Sequence, residues 1–122
     1  MTVRQDILQH LKINGVQPDG SCSGTITLPE SFIGFQGHFP ENPTLPGVCE
    51  IMILQLLLER AGGFHTEHAV IQNAKFFAPV GPNKTLQLSC SRNGDSIICN
   101  ITSGEKKICS LKLLAEVASH EA

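Results

Sequence analysis

Excess positive charge, a long apolar run and paired cysteines are all missing from this 122-residue chain, and each absence removes a class of function. Nine basic residues against 11 acidic ones leave a formal net charge of −2 and a pI of about 6.2. That balance lacks the electrostatic footprint that nucleic acid or an anionic membrane surface requires, so neither is an expected partner. No uninterrupted apolar stretch approaches the roughly 18 residues of a membrane span. The opening MTVRQDILQHLK is too charged for a signal peptide, and a cytoplasmic location is expected. The five cysteines, Cys22, Cys49, Cys90, Cys99 and Cys109, are odd in number and have no CxxC spacing. This argues against a disulfide framework and a zinc site and for buried free thiols; neither metal nor cofactor is expected. His65 and His68 have no ligand partners at suitable spacing and read as surface residues. Internal repeats and low-complexity segments are absent too, and the length suits a single domain over residues 1–122.

What is present alternates between two periodicities. Thr2 followed by Gln5 fits a capping box, and Val3, Ile7, Leu8 and Leu11 recur at helical spacing, so residues 2–11 read as a short amphipathic helix covering one end of a sheet. Residues 13–28 hold two strand candidates around Pro18-Asp19-Gly20. From Val48 to Ala61 the sequence VCEIMILQLLLERA is apolar around nearly its whole circumference, with Gly62-Gly63 as a stop. Such a helix must be covered on most sides. Strand-like segments follow at 69–77, 85–92, 96–102 and 107–117, with Asn93-Gly94 and Ser103-Gly104 reading as tight hairpin turns. The fold class implied is α+β, an antiparallel sheet wrapped around one hydrophobic helix.

Between the two halves lies FQGHFPENPTLPGV, Phe35 to Val48, where one histidine is followed by three prolines that fix φ near −65° and limit the loop to few shapes. Gly37-His38-Phe39-Pro40, Pro43 and Leu45-Pro46-Gly47-Val48 together resemble the signature of the β-hydroxyacyl-acyl carrier protein dehydratases, which have the hotdog fold. Lys75-Phe76-Phe77-Ala78-Pro79-Val80-Gly81-Pro82 is similar to that family's downstream strand and turn, with Asn83 where a second glycine usually falls. The resemblance implies a hotdog domain forming a homodimer with two sites at its interface. It also implies His38 as base, a β-hydroxyacyl thioester substrate on acyl carrier protein, and a trans-2-enoyl product.

In that family a carboxylate on the central helix, supplied by the partner subunit, stands fourteen residues after the histidine; here that position is Met52, and the usual glutamine position is Leu56. Glu50 lies about 200° around the helix from Met52 and would reach the same site only from a shifted register. Glu59 shares the face of Met52 but sits about 10 Å further along the axis. Gln55, one turn from Met52, could orient water but donates no carboxylic proton. The amides of Gly47 and Val48 are candidates to stabilise the thioester oxygen, although the same residues suit a plain helix start after Pro46. Met52 and Gln55 complete the candidate substrate-binding set. Phe32, Phe35, Phe39, Phe76 and Phe77 could line an acyl tunnel, with packing the favoured role. Lys75, Lys84, Arg92, Lys106 and Lys107 could receive an acidic carrier protein, with solvated strand ends the favoured role. Two other functions stay open: a non-catalytic acyl-thioester binding subunit of a mixed dehydratase complex, and a hotdog thioesterase using water held by Gln55 or Glu59.

Overall fold

The Thr2 hydroxyl accepts from the Gln5 N–H at 3.1 Å while the Gln5 side chain accepts from the Thr2 N–H at 2.8 Å, closing the capping box that starts α1 (Val3–His10). The computed structural model to which this helix belongs describes residues 1–36, 43–66 and 68–114. Six antiparallel strands follow the order β1-β2-β4-β5-β6-β3, with β1 Leu11–Val16, β2 Cys22–Thr27, β3 Val70–Phe76, β4 Thr85–Asn93, β5 Ser96–Ser103 and β6 Lys106–Leu114. Between β2 and β3 in sequence comes α2 (Gly47–Leu57), which continues through a π-helical turn, Leu58–Gly62.

Period-two alternation places Cys22 and Ile26, Leu86, Leu88 and Cys90, Ile97, Cys99 and Ile101, and Leu111 and Leu113 on the inner face, all buried. Ile53, Leu54, Leu56 and Leu57 of α2 are at most 1% exposed and complete the core. Each such side chain contributes about 1.5–3 kcal/mol on burial. All five cysteines are buried and free. Cys22, Cys90 and Cys99 stand opposite one another across three strands, a row of small side chains beneath the helix.

Three register shifts adjust this alternation. In β3, Gln72 pairs with Lys112 and Lys75 with Ser110, so Asn73 and Ala74 together face Leu111 alone; Asn73 takes a left-handed φ of 55°. The extra residue turns Phe76 to the same face as Ile71, opposite inward-facing Cys109 and Leu113. A second bulge at the start of β6 explains why the consecutive residues Ile108 and Cys109 are both buried.

Several expectations shift by small amounts. Helix α2 starts at Gly47 rather than Val48, and its last turn widens to π geometry before Gly63 ends it at φ 72°. In both hairpins the glycine is the first central residue, with positive φ at Gly94 and Gly104 but not at Asp95 or Glu105, the pattern of a type II′ turn. A 3₁₀ turn at Ile33–Phe35 carries no sequence signal; its first N–H donates to Oδ2 of buried Asp6 on α1 at 3.0 Å. Phe32 and Phe35 pack edge to face in the core, with ring centroids 5.5 Å apart. The packing role fails for Phe76 and Phe77, each 50% exposed, because they lie at the unpaired edge of the sheet. The expected end of β6 beyond Leu114 lies outside the described residues.

Gly24 of β2 is hemmed in by strand and helix alike: an added Cβ would stand 2.5 Å from the Lys12 carbonyl oxygen of β1 and 3.2 Å from Leu57 Cδ1 of α2. Gly24→Ala is therefore expected to destabilise the fold by about 1–3 kcal/mol, read as a lower urea midpoint at unchanged slope. Gly15→Ala, whose nearest neighbour is Ser23 Oγ at 3.5 Å, is the matched control.

Candidate active site at the opening of the central helix

Pro46 caps α2 with extended backbone (ψ 147°), and its carbonyl accepts from the N–H groups of both Cys49 (3.0 Å) and Glu50 (3.2 Å). The two preceding amides, on Gly47 and Val48, have no acceptor within the helix, as the geometry of any helix start requires. They form the positive end of the helix dipole and suit an oxygen that gains negative charge. Leu45 N–H donates to the Val80 carbonyl at 2.8 Å, which ties this opening to the turn after β3, while Asn83, at φ 64°, donates to Leu28 at 2.7 Å. Val48 is 72% exposed, and the Phe76 ring lies so close to Gly47 that a Cβ there would approach it to 3.0 Å. His38 and Phe39, which the sequence places just before this opening, lie outside the described residues.

The helix presents two unlike faces. Val48, Ile51, Met52 and Gln55 form a stripe that the rest of the chain covers only partly. The candidate residues Met52 and Gln55 therefore share a face, which is not the face of Glu50. Glu50 points into the sheet and is 3% exposed. The Cys109 thiol of β6 lies near its carboxyl, and one oxygen, Oε1, is buried with no hydrogen-bond partner. Burial pushes the Glu50 carboxyl up to about 7, against the opposing pull of the nearby Cys109 thiol. Burial, then the adjacent Glu50 charge, push the Cys109 thiol up to about 12. Cys49 is raised for the same two reasons.

Sequence spacing placed Glu50 away from Met52 but gave no reason to single it out. The signal it missed is the inward phase of Cys109 on a strand distant in sequence. Glu59 is committed elsewhere: one oxygen bonds Arg4 at 3.1 Å and the other accepts from buried Thr66 at 2.5 Å, beside a cleft lined by Gly63, Phe64 and His65 at the far end of the helix. His65 and His68 are exposed. Of the five basic candidates, Arg92 is engaged with Gly94, Asp19 and the Phe64 ring, and Lys107 lies 5.7 Å from the centroid of Phe77. Lys75, Lys84 and Lys106 are exposed.

Comparison with known proteins places the chain in a family and a fold. The family model for ApeI-like proteins, described as ApeI dehydratase, matches residues 15–112. The 3-hydroxyacyl-[acyl-carrier-protein] dehydratase FabZ of Levilactobacillus brevis is 34% identical, over 95% of this chain and 86% of its own. FabZ of Lactobacillus helveticus is 33% identical, over 90% and 82%. Among solved structures, the dehydratase heterocomplex ApeI:P from Xenorhabdus doucetiae superposes with a TM-score of 0.69 at 22% identity, covering 81% of this chain and 90% of that one. A hypothetical thioesterase from Streptococcus pneumoniae, solved with coenzyme A, gives 0.63 at 13% identity, covering 93% and 94%. The fold is the hotdog fold.

A carboxyl that titrates near 7 inside the fold and at 4.5 outside it favours folding in its neutral form. That contribution is complete below pH 4.5 and is lost as the pH rises through about 7. Screening near the helix opening reduces it to on the order of 1–3 kcal/mol. The expected outcome is that Glu50→Gln raises Tm at pH 8 and leaves it nearly unchanged at pH 4.5, measured by calorimetry.

Proposed function

Because the chain belongs to the ApeI-like dehydratase family, a group of hydro-lyases, we propose that it removes water from a β-hydroxyacyl thioester on acyl carrier protein and releases a trans-2-enoyl product. His38 takes the α-proton, a task suited to an imidazole whose ordinary pKa is near 6.5. The Gly47 and Val48 amides hold the thioester oxygen as charge builds on it. The observation that carries this reading is the exposed, unpaired start of α2 beside Phe76, reached directly from the His38 loop in sequence. The proposed elimination needs no cofactor and is assigned to the cytoplasm.

The assembly we assign is a homodimer joined along β3. Among the described residues this edge strand pairs only with β6, and it leaves Val70, Ile71 and Phe76 exposed, an arrangement that favours strand-to-strand association. The partly covered Val48, Ile51, Met52 and Gln55 stripe of α2 is further apolar surface that a partner would cover. The absence of a carboxylate at Met52 favours one second reading, in which a related chain supplies the acid across a mixed interface; the ApeI:P relative is itself a heterocomplex.

A 3-hydroxyacyl thioester assay following enoyl absorbance tests the chemistry. His38→Ala is expected to lower the rate by about 10²–10⁴, whereas equal rates would remove His38 from the reaction. Sedimentation tests the assembly: the wild type is expected to run as a dimer, and Ile71→Lys to shift it towards monomer. A wild-type monomer that dimerises only with a second dehydratase chain would favour the mixed complex.

A further inference from the structure

Glu50 Oε1 is the sole buried side-chain oxygen or nitrogen without a hydrogen-bond partner among the described residues. Folded proteins satisfy nearly all such groups, and the exceptions cluster where something else is to be met. The carboxyl is also well placed to meet it. Helical side chains lean towards the N-terminus, so Glu50 is carried back over the turn that begins with Gly47, three residues earlier, on the same side of the helix. Both residues face one strand pair: Gly47 lies against the Phe76 ring, Glu50 lies near Cys109, and Phe76 and Cys109 are direct partners across β3 and β6. Phe76 itself is half exposed, so the edge of this strand pair beside Gly47 reaches solvent while Glu50 stays buried.

We infer that Glu50 is the proton donor to the departing β-hydroxyl, and that the reacting carbons lie over the Gly47–Glu50 face of α2 and not over the Met52 face. The inference rests on the dehydration proposed above. In the step, the base removes the α-proton, the Cα–Cβ double bond forms, the Cβ–O bond breaks, and Glu50 passes its proton to the leaving oxygen, which departs as water. The proton held by the base then returns to the Glu50 carboxylate and resets the site. No oxidant or second substrate is required. Glu59, bonded to Arg4 and Thr66 at the other end of the helix, is not free for this task. Among the described residues, the titratable groups near Glu50 are Cys49 on its own helix and Cys109 on β6, with Cys99 on β5 beyond. None of these supplies a positive charge that would hold the carboxyl ionised, so it keeps its proton to about pH 7.

Two substrates separate acid catalysis from a structural role: a 3-hydroxyacyl thioester and its 3-chloro analogue, whose leaving chloride needs no proton. With Glu50→Gln, water loss is expected to slow by at least about 100-fold with little change in KM. Chloride loss is expected to stay within a few-fold of wild type, and the fall in rate above about pH 7 is expected to vanish. Glu50→Asp, which keeps a carboxyl, is expected to recover part of the water-loss rate. An unchanged rate of water loss in Glu50→Gln would overturn the inference, as would equal damage to both eliminations. A wild type that removes neither water nor chloride would instead overturn the dehydratase reading on which the inference stands.

Discussion

Covering α2 is the constraint on which the rest of the structure depends. A helix reading GVCEIMILQLL has no polar face to give to solvent, so the sheet must curve around it and the row of small Cys22, Cys90 and Cys99 side chains and Gly24 must leave it room. The same demand explains the remaining apolar stripe. One sheet covers only part of the circumference, and the partly covered remainder runs through Val48, Ile51, Met52 and Gln55. Burial is thus incomplete in one direction, and association along that side would complete it.

Against this background a carboxylate in the first turn of α2 is costly. An ionised carboxyl loses hydration when buried, and one thiol replaces little of it. Folding therefore favours the protonated acid, the form that general acid catalysis uses. The chemistry expected of the resembling family and the chemistry of this chain then differ in where the acid sits. A methionine occupies the usual position, and a glutamate half a helical turn earlier points towards the sheet.

Much of the architecture was legible because its signals are local. The Thr2–Gln5 capping box, the apolar run of α2, the strand alternation and the glycine-bearing hairpins all depend on neighbours a few residues apart. The 3₁₀ turn at Ile33 was not legible, because its support comes from Asp6 on another element. Nor was the isolation of Glu50 Oε1, since sequence alone does not show that its inward setting leaves it without a hydrogen-bond partner. The π turn at Leu58–Gly62 likewise has no motif in LERAG that announces it. His38, the strongest single residue in the sequence argument, lies outside the described part of the chain, so its role rests on family membership and motif alone.

The pair Asn73 and Ala74 works as a phase shifter within β3. Without the additional residue, Ile71 and Phe76 would point to opposite sides, and the ring beside Gly47 would be lost whenever the other half of the strand was optimised for a neighbour. With it, the outer half can drift in sequence and acquire a new mate while the inner half stays locked on the helix opening. Choice of companion and geometry of the reaction centre become separately evolvable on seven consecutive residues.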